Sequence, residues 1–327
     1  MAITDQLRYK KNSCSETKDI VIQARQVIAV FSLVGCLFVI FVIWLFKKYI
    51  VFAQRLILYL CIGACMDSIA YIMGDMRPDS PLCNFEGWFL QYFDGTVLLW
   101  VLVITINLYF NVVKERVTEK FEWVYHAVCW IVPLLISFLP FIGDHYGPAG
   151  AWCWIIENWR WRLGVWYGPL FIIIIFLFVV YTYIFIVLKR KASTWEGMYN
   201  PDIERNQRLL KEDIKPLKFY PFVYLLVSIF PLINRIQNAI SPHNHVFALV
   251  LLASIFAPLH GALIAVVFGM DIETIKRLTP RQIMVAVMAH RAPKTQLQAY
   301  PVEVNITDQN IDESQTTEES AAIPIPK

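Results

Sequence analysis

Charge is in short supply in this chain of 327 residues: Asp, Glu, Lys and Arg make up 17% of it and leave a net charge of +3. Soluble domains carry about a quarter charged residues, so the shortfall argues against a water-soluble fold. So small a basic surplus gives no footing for a nucleic-acid partner. The last long apolar stretch, Val246 to Met270, contains no lysine, which excludes a retinal Schiff base there, and no cofactor is expected. The six histidines are scattered: His126 and His260 lie in apolar stretches, and His145, His243, His245 and His290 lie outside them. That excludes the metal constellation of a membrane hydrolase, because the two ligands of "PHNH" at 242–245 fall short of a site, and no enzyme is expected. No cleavable signal peptide is expected either, since the first apolar run is 20 residues long and lacks a small-residue cleavage site. No cysteine follows Cys153 in these 327 residues, so no palmitoyl anchor is expected beyond it.

What is abundant is apolar: 57% hydrophobic residues, 15% aromatics and a mean hydropathy of +0.50. A helix needs about 20 mostly apolar residues to cross the hydrocarbon core. Seven windows qualify: Val27–Phe46, Arg55–Met76, Cys83–Val113, Trp123–Ile142, Leu163–Leu188, Pro216–Ile240 and Val246–Met270. The expected fold is an all-α membrane protein, a bundle of seven spanning helices. Lysines and arginines collect on the cytoplasmic side of short loops. Here 20 fall in the segments facing one side and 8 in those facing the other, which puts the amino terminus outside. The expected organisation is an extracellular tail over residues 1–26 and the bundle over 27–270. A membrane-surface amphipathic helix follows over 271–290, and a disordered cytoplasmic tail over 291–327. In "DIETIKRL" Ile272, Ile275 and Leu278 share a face opposite Lys276 and Arg277, and Thr279 and Pro280 open a further helical stretch as N-cap and first residue.

The stretch "GPAGAWCWIIENWRWRLGVW", residues 147–166, falls on the outer face between the fourth and fifth spans. Indoles favour the lipid–water interface, and Trp159, Trp161 and Trp166 read as an aromatic belt. Trp152 and Trp154 flank Cys153. The seven cysteines sort by depth: Cys36, Cys61, Cys65 and Cys129 fall within spans, where a thiol behaves as a small hydrophobe, and Cys14 lies in the outer tail. Cys83, at the start of span three, is the other cysteine at an outer boundary, so a Cys83–Cys153 disulfide is expected, pinning the loop over the mouth of the bundle.

Seven spans, an outer amino terminus and a disulfide from span three to the second outer loop resemble a G-protein-coupled receptor. "WCWI" at 152–155 resembles the second outer loop of the cyclic-AMP-receptor-like family, named for slime-mould chemoattractant receptors, and of its secretin- and adhesion-type relatives. "YPF" at 220–222 with "INRIQN" at 233–238 is similar to that family's sixth span, "LHG" at 259–261 with Gly269 to its seventh, and Trp100 followed by "NLYFNVVKER" to its third. The likeness covers roughly residues 25–280, and its strength lies in the joint order of the motifs. It implies a plasma-membrane receptor that senses an extracellular ligand, cyclic AMP or another small molecule, and activates a heterotrimeric G protein. A seven-span transporter is the alternative, although no convincing repeat relates the two halves.

Charges inside a bilayer are costly and face the bundle interior, which makes them site candidates. Asp94 is 11 residues into span three, and Glu86, Leu90, Asp94 and Val97 recur on one helical face. Arg235 reads either as an interfacial snorkel or as a donor to an anionic or carbonyl group of a ligand. A pairing of Arg235 with Asp94 or Glu86 across a pocket is expected. The candidate ligand set is Glu86, Asp94, Trp154, Arg160, Arg235 and Asn238. Asp67, with Asn107 or Asn234 as partner, is assigned to a polar network between helices. On the cytoplasmic face Lys114, Arg116, Lys189, Arg190 and Lys215 suit either a G protein or anionic lipid. The loop starting at Lys189 is expected to extend spans five and six as helices. Thr316, Thr317 and Ser320, beside Glu318 and Glu319, offer phosphorylation sites for an arrestin-like partner, with a plain solubilising tail as the duller reading.

Overall fold

Apolar runs this long leave the backbone no water to bond in a bilayer, so helix is the form that satisfies every N–H and C=O internally. The computed structural model describes residues 2–73, 80–149, 152–156, 158–195, 217, 219–240, 246–270 and 278–291, with side chains from Lys18 onward except 159, 191–195, 238–240 and 289–291. The bundle belongs to a compact unit, Met1–His290. Among the described residues it contains α1 (Ala2–Leu45), α2 (Phe52–Ile72), α3 (Pro81–Val113), α4 (Glu119–Phe141), α5 (Gly168–Trp195), α6 (Tyr220–Ile240), α7 (Phe247–Gly269) and α8 (Pro280–Arg291). Between α4 and α5 lies a hairpin of β1 (Tyr146–Pro148) and β2 (Cys153–Ile155).

Six of these helices are long and apolar enough to cross a membrane. The remaining helix of spanning length, α6, has 21 residues but ends in Asn234, Arg235, Gln237 and Asn238, which dilute its apolar run. On α1 the side chains of Phe31, Val34, Leu37 and Phe41 point outward, as do Ile172, Ile175, Phe178 and Val179 on α5. A helix apolar on its outer face suits lipid as solvent.

The core beneath these faces is centred on Trp100, fully buried among Leu56, Leu60, Ile104, Leu108 and Cys129. A second cluster, under the hairpin, joins Ala29, Tyr71, Leu90, Tyr146, Trp154 and Ile155. Glycine permits one close helix crossing: a Cβ on Gly261 of α7 would meet Cys36 Sγ at 2.8 Å and Ser32 at 3.1 Å on α1. Pro258 lies where α7 tightens into a 3-10 turn, Ala257–Leu259. The carbonyl this leaves is bonded by the Ser32 hydroxyl, and the N–H of Ala262 donates to Ser32 Oγ at 3.0 Å. Pro231 sits within α6, and a π-helical turn, Ala127–Ile131, precedes Pro133 in α4.

Several boundaries differ from the hydropathy reading. The first helix begins at Ala2, well before Val27, and its membrane-length portion runs from Lys18 to Leu45. The second ends at Ile72 rather than Met76, and α5 continues past Leu188 to Trp195, as the reading of the following loop anticipated. Lys215, "DIETIKR" and the tail from Ala292 lie outside the described residues, as does the side chain of Cys14. Met284, Val285 and Met288 of α8 are exposed on one face.

Candidate functional site

The disulfide expected from depth alone is present. Cys83, in the first turn of α3, is bonded to Cys153, 70 residues on, with Cα atoms 5.2 Å apart. Pro81 opens that helix, where its missing N–H costs nothing. The pinned hairpin pairs Tyr146 with Ile155, Gly147 with Trp154 and Pro148 with Cys153. It lies so close to α3 that a Cβ on Gly87 would meet Tyr146 at 3.0 Å and the backbone of Trp154 at 3.1 Å.

Polar contacts fix the hairpin. The Trp154 indole N–H donates to Gln91 Oε1 at 2.8 Å, and the Tyr146 hydroxyl donates to the Ser137 carbonyl at 2.7 Å. Burial pushes the Tyr146 phenol above its ordinary acidity range. Arg162 donates through Nε and Nη2 to the Ile155 carbonyl at 2.9 and 2.7 Å, with its guanidinium 5.5 Å from the Trp154 ring centre. The tryptophan stretch therefore divides: Trp154 is a buried strut, 5% exposed, and Trp152 covers a cation.

Below the hairpin is a cavity of about 110 Å³ between α2, α3, α5, α6 and α7. Tyr71, Asp94, Trp166, Tyr224, Arg235 and His260 give it polar or aromatic walls, and Val97, Leu170, Ile174 and Val227 an apolar one. The Tyr71 hydroxyl lies 3.3 and 3.4 Å from the two Asp94 oxygens and donates to that carboxylate. Arg235 stacks over aromatic faces, its guanidinium 5.3 Å from the Trp154 ring centre and 5.5 Å from that of Tyr167. Asp94 lies within the field of Arg235, yet among the described residues no ion pair joins them.

Glu86 belongs elsewhere. Its oxygen is 3.5 Å from Nη2 of Arg25, with the two side chains 0% and 2% exposed. Arg25, which charge counting left on the tail, is thus buried, and its guanidinium also covers Trp152 at 5.1 Å and Tyr71 at 5.6 Å. This corrects the expected choice of Glu86 as a partner for Arg235. The signal was depth: Glu86 follows Cys83 by three residues, level with an arginine at the head of the first apolar run.

Asp67 is also repartnered. His260 Nε2 lies 3.4 Å from its carboxylate, while His260 Nδ1 faces the Ala257 carbonyl at 3.0 Å. Asn107 instead accepts from the Thr118 hydroxyl at 2.7 Å, and Asn234 is buried on α6 without an Asp67 bond. Arg160 is exposed, away from the cavity lining, and the side chain of Asn238 lies outside the described residues.

At the opposite end Arg55 ties α2 to α4: Nε and Nη2 donate to the two oxygens of Glu122 at 2.8 and 2.9 Å, and Nη2 donates to Glu119 at 2.6 Å. Tyr59 adds a hydroxyl to Glu122 at 3.0 Å. Sequence reading passed over this cluster because Arg55 marked only the edge of an apolar window. Lys114 and Arg116 are exposed after α3, as are Lys189 and Arg190 on α5.

A helical bundle of this kind, roofed by a disulfide-pinned hairpin over a polar cavity, defines a multi-pass membrane protein of the seven-transmembrane receptor class. The chain belongs to the slime mold cyclic AMP receptor family, whose model matches residues 13–312. It is 28% identical over 242 residues to cyclic AMP receptor-like protein A of Dictyostelium discoideum, covering 73% of this chain and 61% of that protein. It is 25% identical over 244 residues to G-protein coupled receptor 1 of Arabidopsis thaliana, covering 73% and 74%. Cyclic AMP receptor 4 of Dictyostelium discoideum is 27% identical over 219 residues, 64% of this chain and 48% of that receptor. The matches thus span roughly half to three fifths of the two slime-mould relatives. The family assignment agrees with the motifs "WCWI", "YPF" and "LHG" on which the resemblance rested.

Proposed function

We propose that the chain is a G-protein-coupled receptor of the plasma membrane, and not an enzyme. Its disulfide end faces outward, takes a small extracellular ligand in the cavity below the hairpin, and so favours a form whose cytoplasmic end activates a heterotrimeric G protein. The observation that carries this reading is the cavity itself, with Asp94 of α3 and Arg235 of α6 facing one space. A ligand touching both helices binds one relative placement of them better than another, and the difference in affinity is what shifts the population. Pro231 lies one turn from Arg235 on α6 and weakens the helix there, allowing a displacement at the ligand to change the other half.

The cytoplasmic contacts are Lys114, Arg116, Lys189 and Arg190, with Lys215 as a further candidate. Arg55 and Glu122 hold α2 against α4 beside this surface. The tail carries Thr316, Thr317 and Ser320 as phosphorylation sites for an arrestin-like partner. An oxidised Cys83–Cys153 bond supports placing the hairpin in the extracellular space. Cyclic AMP appears in the names of the slime-mould relatives and is the first ligand to test. The experiment is nucleotide exchange on a panel of purified heterotrimeric G proteins by the reconstituted chain, with and without cyclic AMP, and with Cys153→Ser for comparison. Exchange on any member, reduced by Cys153→Ser, is the expected result, and no exchange from folded protein under any condition contradicts the reading.

A further inference from the structure

Elsewhere in the bundle an acid and a base close on each other: Glu86 and Arg25 pair directly and are almost fully buried. Asp94 and Arg235 do not. Asp94 accepts from the Tyr71 hydroxyl and shares a hydrogen bond with the Asp67 carboxyl group, neither of which is a cation, and Arg235 lies over one indole and one phenol face that attract a cation without neutralising it. Both line the same cavity. Opposite charges held apart in a low-dielectric interior are poorly compensated, and a guest carrying the complementary pair satisfies both at once. A guest with a single charge leaves the other group uncompensated.

Size narrows the guest further. The cavity holds about 110 Å³, against roughly 300–1,000 Å³ for sites that enclose drug-sized molecules. A purine nucleotide exceeds that space, and its phosphate meets one guanidinium and one carboxylate of its own sign. The wall of Val97, Leu170, Ile174 and Val227 suits a short hydrocarbon segment between two polar ends.

We infer that this cavity takes a small zwitterion of amino-acid size, with its cationic group on the Asp94 carboxylate, its anionic group on the Arg235 guanidinium and a short apolar linker between. The inference rests on reading the cavity as the receptor's ligand site, and it departs from the cyclic nucleotide named by the relatives.

The test is saturable stabilisation of the full-length chain in detergent micelles by the ω-amino acids from glycine to 6-aminohexanoate, whose charge separation grows by one methylene at a time. The matching alkylamines, the matching alkanoates and cyclic AMP complete the probe set. One length in the series should bind about tenfold or more tighter than either single-charge counterpart. Asp94→Asn should lower that zwitterion to the level of the alkanoate, and Arg235→Gln to the level of the alkylamine. Should either variant fail to fold, the length series on the unmodified chain decides alone. Equal binding by a single-charge counterpart, no binding anywhere in the series, or tighter binding of cyclic AMP overturns the zwitterion. G-protein exchange stimulated by cyclic AMP would then keep the receptor reading. Zwitterion binding without exchange on any G protein would retire the receptor reading and leave the site.

Discussion

Replacing Arg25 with methionine removes a cation that ties α1 to α3 and to the roof of the bundle. Its guanidinium is 3.5 Å from Glu86, both side chains are within 2% of full burial, and it covers Trp152 and Tyr71. Breaking a buried ion pair from one side costs about 3–5 kcal/mol, because the remaining charge is stranded. At 3.5 Å the contact is longer than the roughly 2.7–2.9 Å of a strong charge-assisted bond, which favours the lower end, about 3 kcal/mol. Two ring contacts on a desolvated guanidinium add at least about 1 kcal/mol together, so Arg25→Met should lose about 4 kcal/mol or more. Glu86→Gln should lose about 3 kcal/mol, since the rings still face the guanidinium. The pair of changes Arg25→Met with Glu86→Leu leaves neither member of the pair stranded and should cost less than the sum of the two single losses, as apolar replacements of buried pairs do. Equilibrium unfolding in mixed micelles, followed by tryptophan fluorescence, measures all three. A double variant that loses the sum of the single losses would mean that the two side chains act independently, and the pairing would be refuted.

Three further outcomes follow from the roof. Trp154→Phe keeps a ring under Arg235 but strands Gln91 Oε1, so unfolding free energy should drop by about 1–3 kcal/mol, and Gln91→Leu in the same chain should recover part of it. Cys153→Ser opens a loop of 70 residues and should cost about 4 kcal/mol on the chain-entropy account. Stability of that variant should no longer respond to reductant, and a continued response would assign the reductant effect to other thiols. The folded chain holds the Tyr146 proton more tightly than the unfolded chain, so the associated stability is present below pH 10 and is lost as pH rises past the ordinary phenol value of 10.0. Tyr146→Phe should flatten that alkaline loss, and an unchanged pH profile would mean that Tyr146 does not contribute to it.

Apolar length made six of the spanning helices legible, and depth made the Cys83–Cys153 bond legible, because each property survives without knowledge of neighbours. Asp94 and Arg235 were singled out by the cost of a charge in lipid, and they do line one cavity. Partnering was the part that sequence did not carry. Helix rotation and tilt decide that Glu86 meets Arg25 and that Asp67 meets His260, and a hydropathy window contains neither. Arg25 was passed over because the apolar run began after it, although the helix starts long before. Trp154 enters the ligand set from its place beside Cys153, and its contacts with Gln91 and Arg235 could not be read from that place. Arg55 needed Glu119 and Glu122, more than 60 residues away, to become visible as a cluster.

The central claim is that a signal passes through the bundle from the disulfide end to the basic surface around Lys114, Arg116, Lys189 and Arg190. Vesicles in which every copy shows the disulfide end outward, with a heterotrimeric G protein enclosed or added outside, test it directly. Nucleotide exchange should occur only on the enclosed G protein, and a probe that binds the cavity should change its rate when added outside. Exchange on G protein added outside, or a rate on the enclosed protein that ignores a probe shown to bind, would contradict the claim.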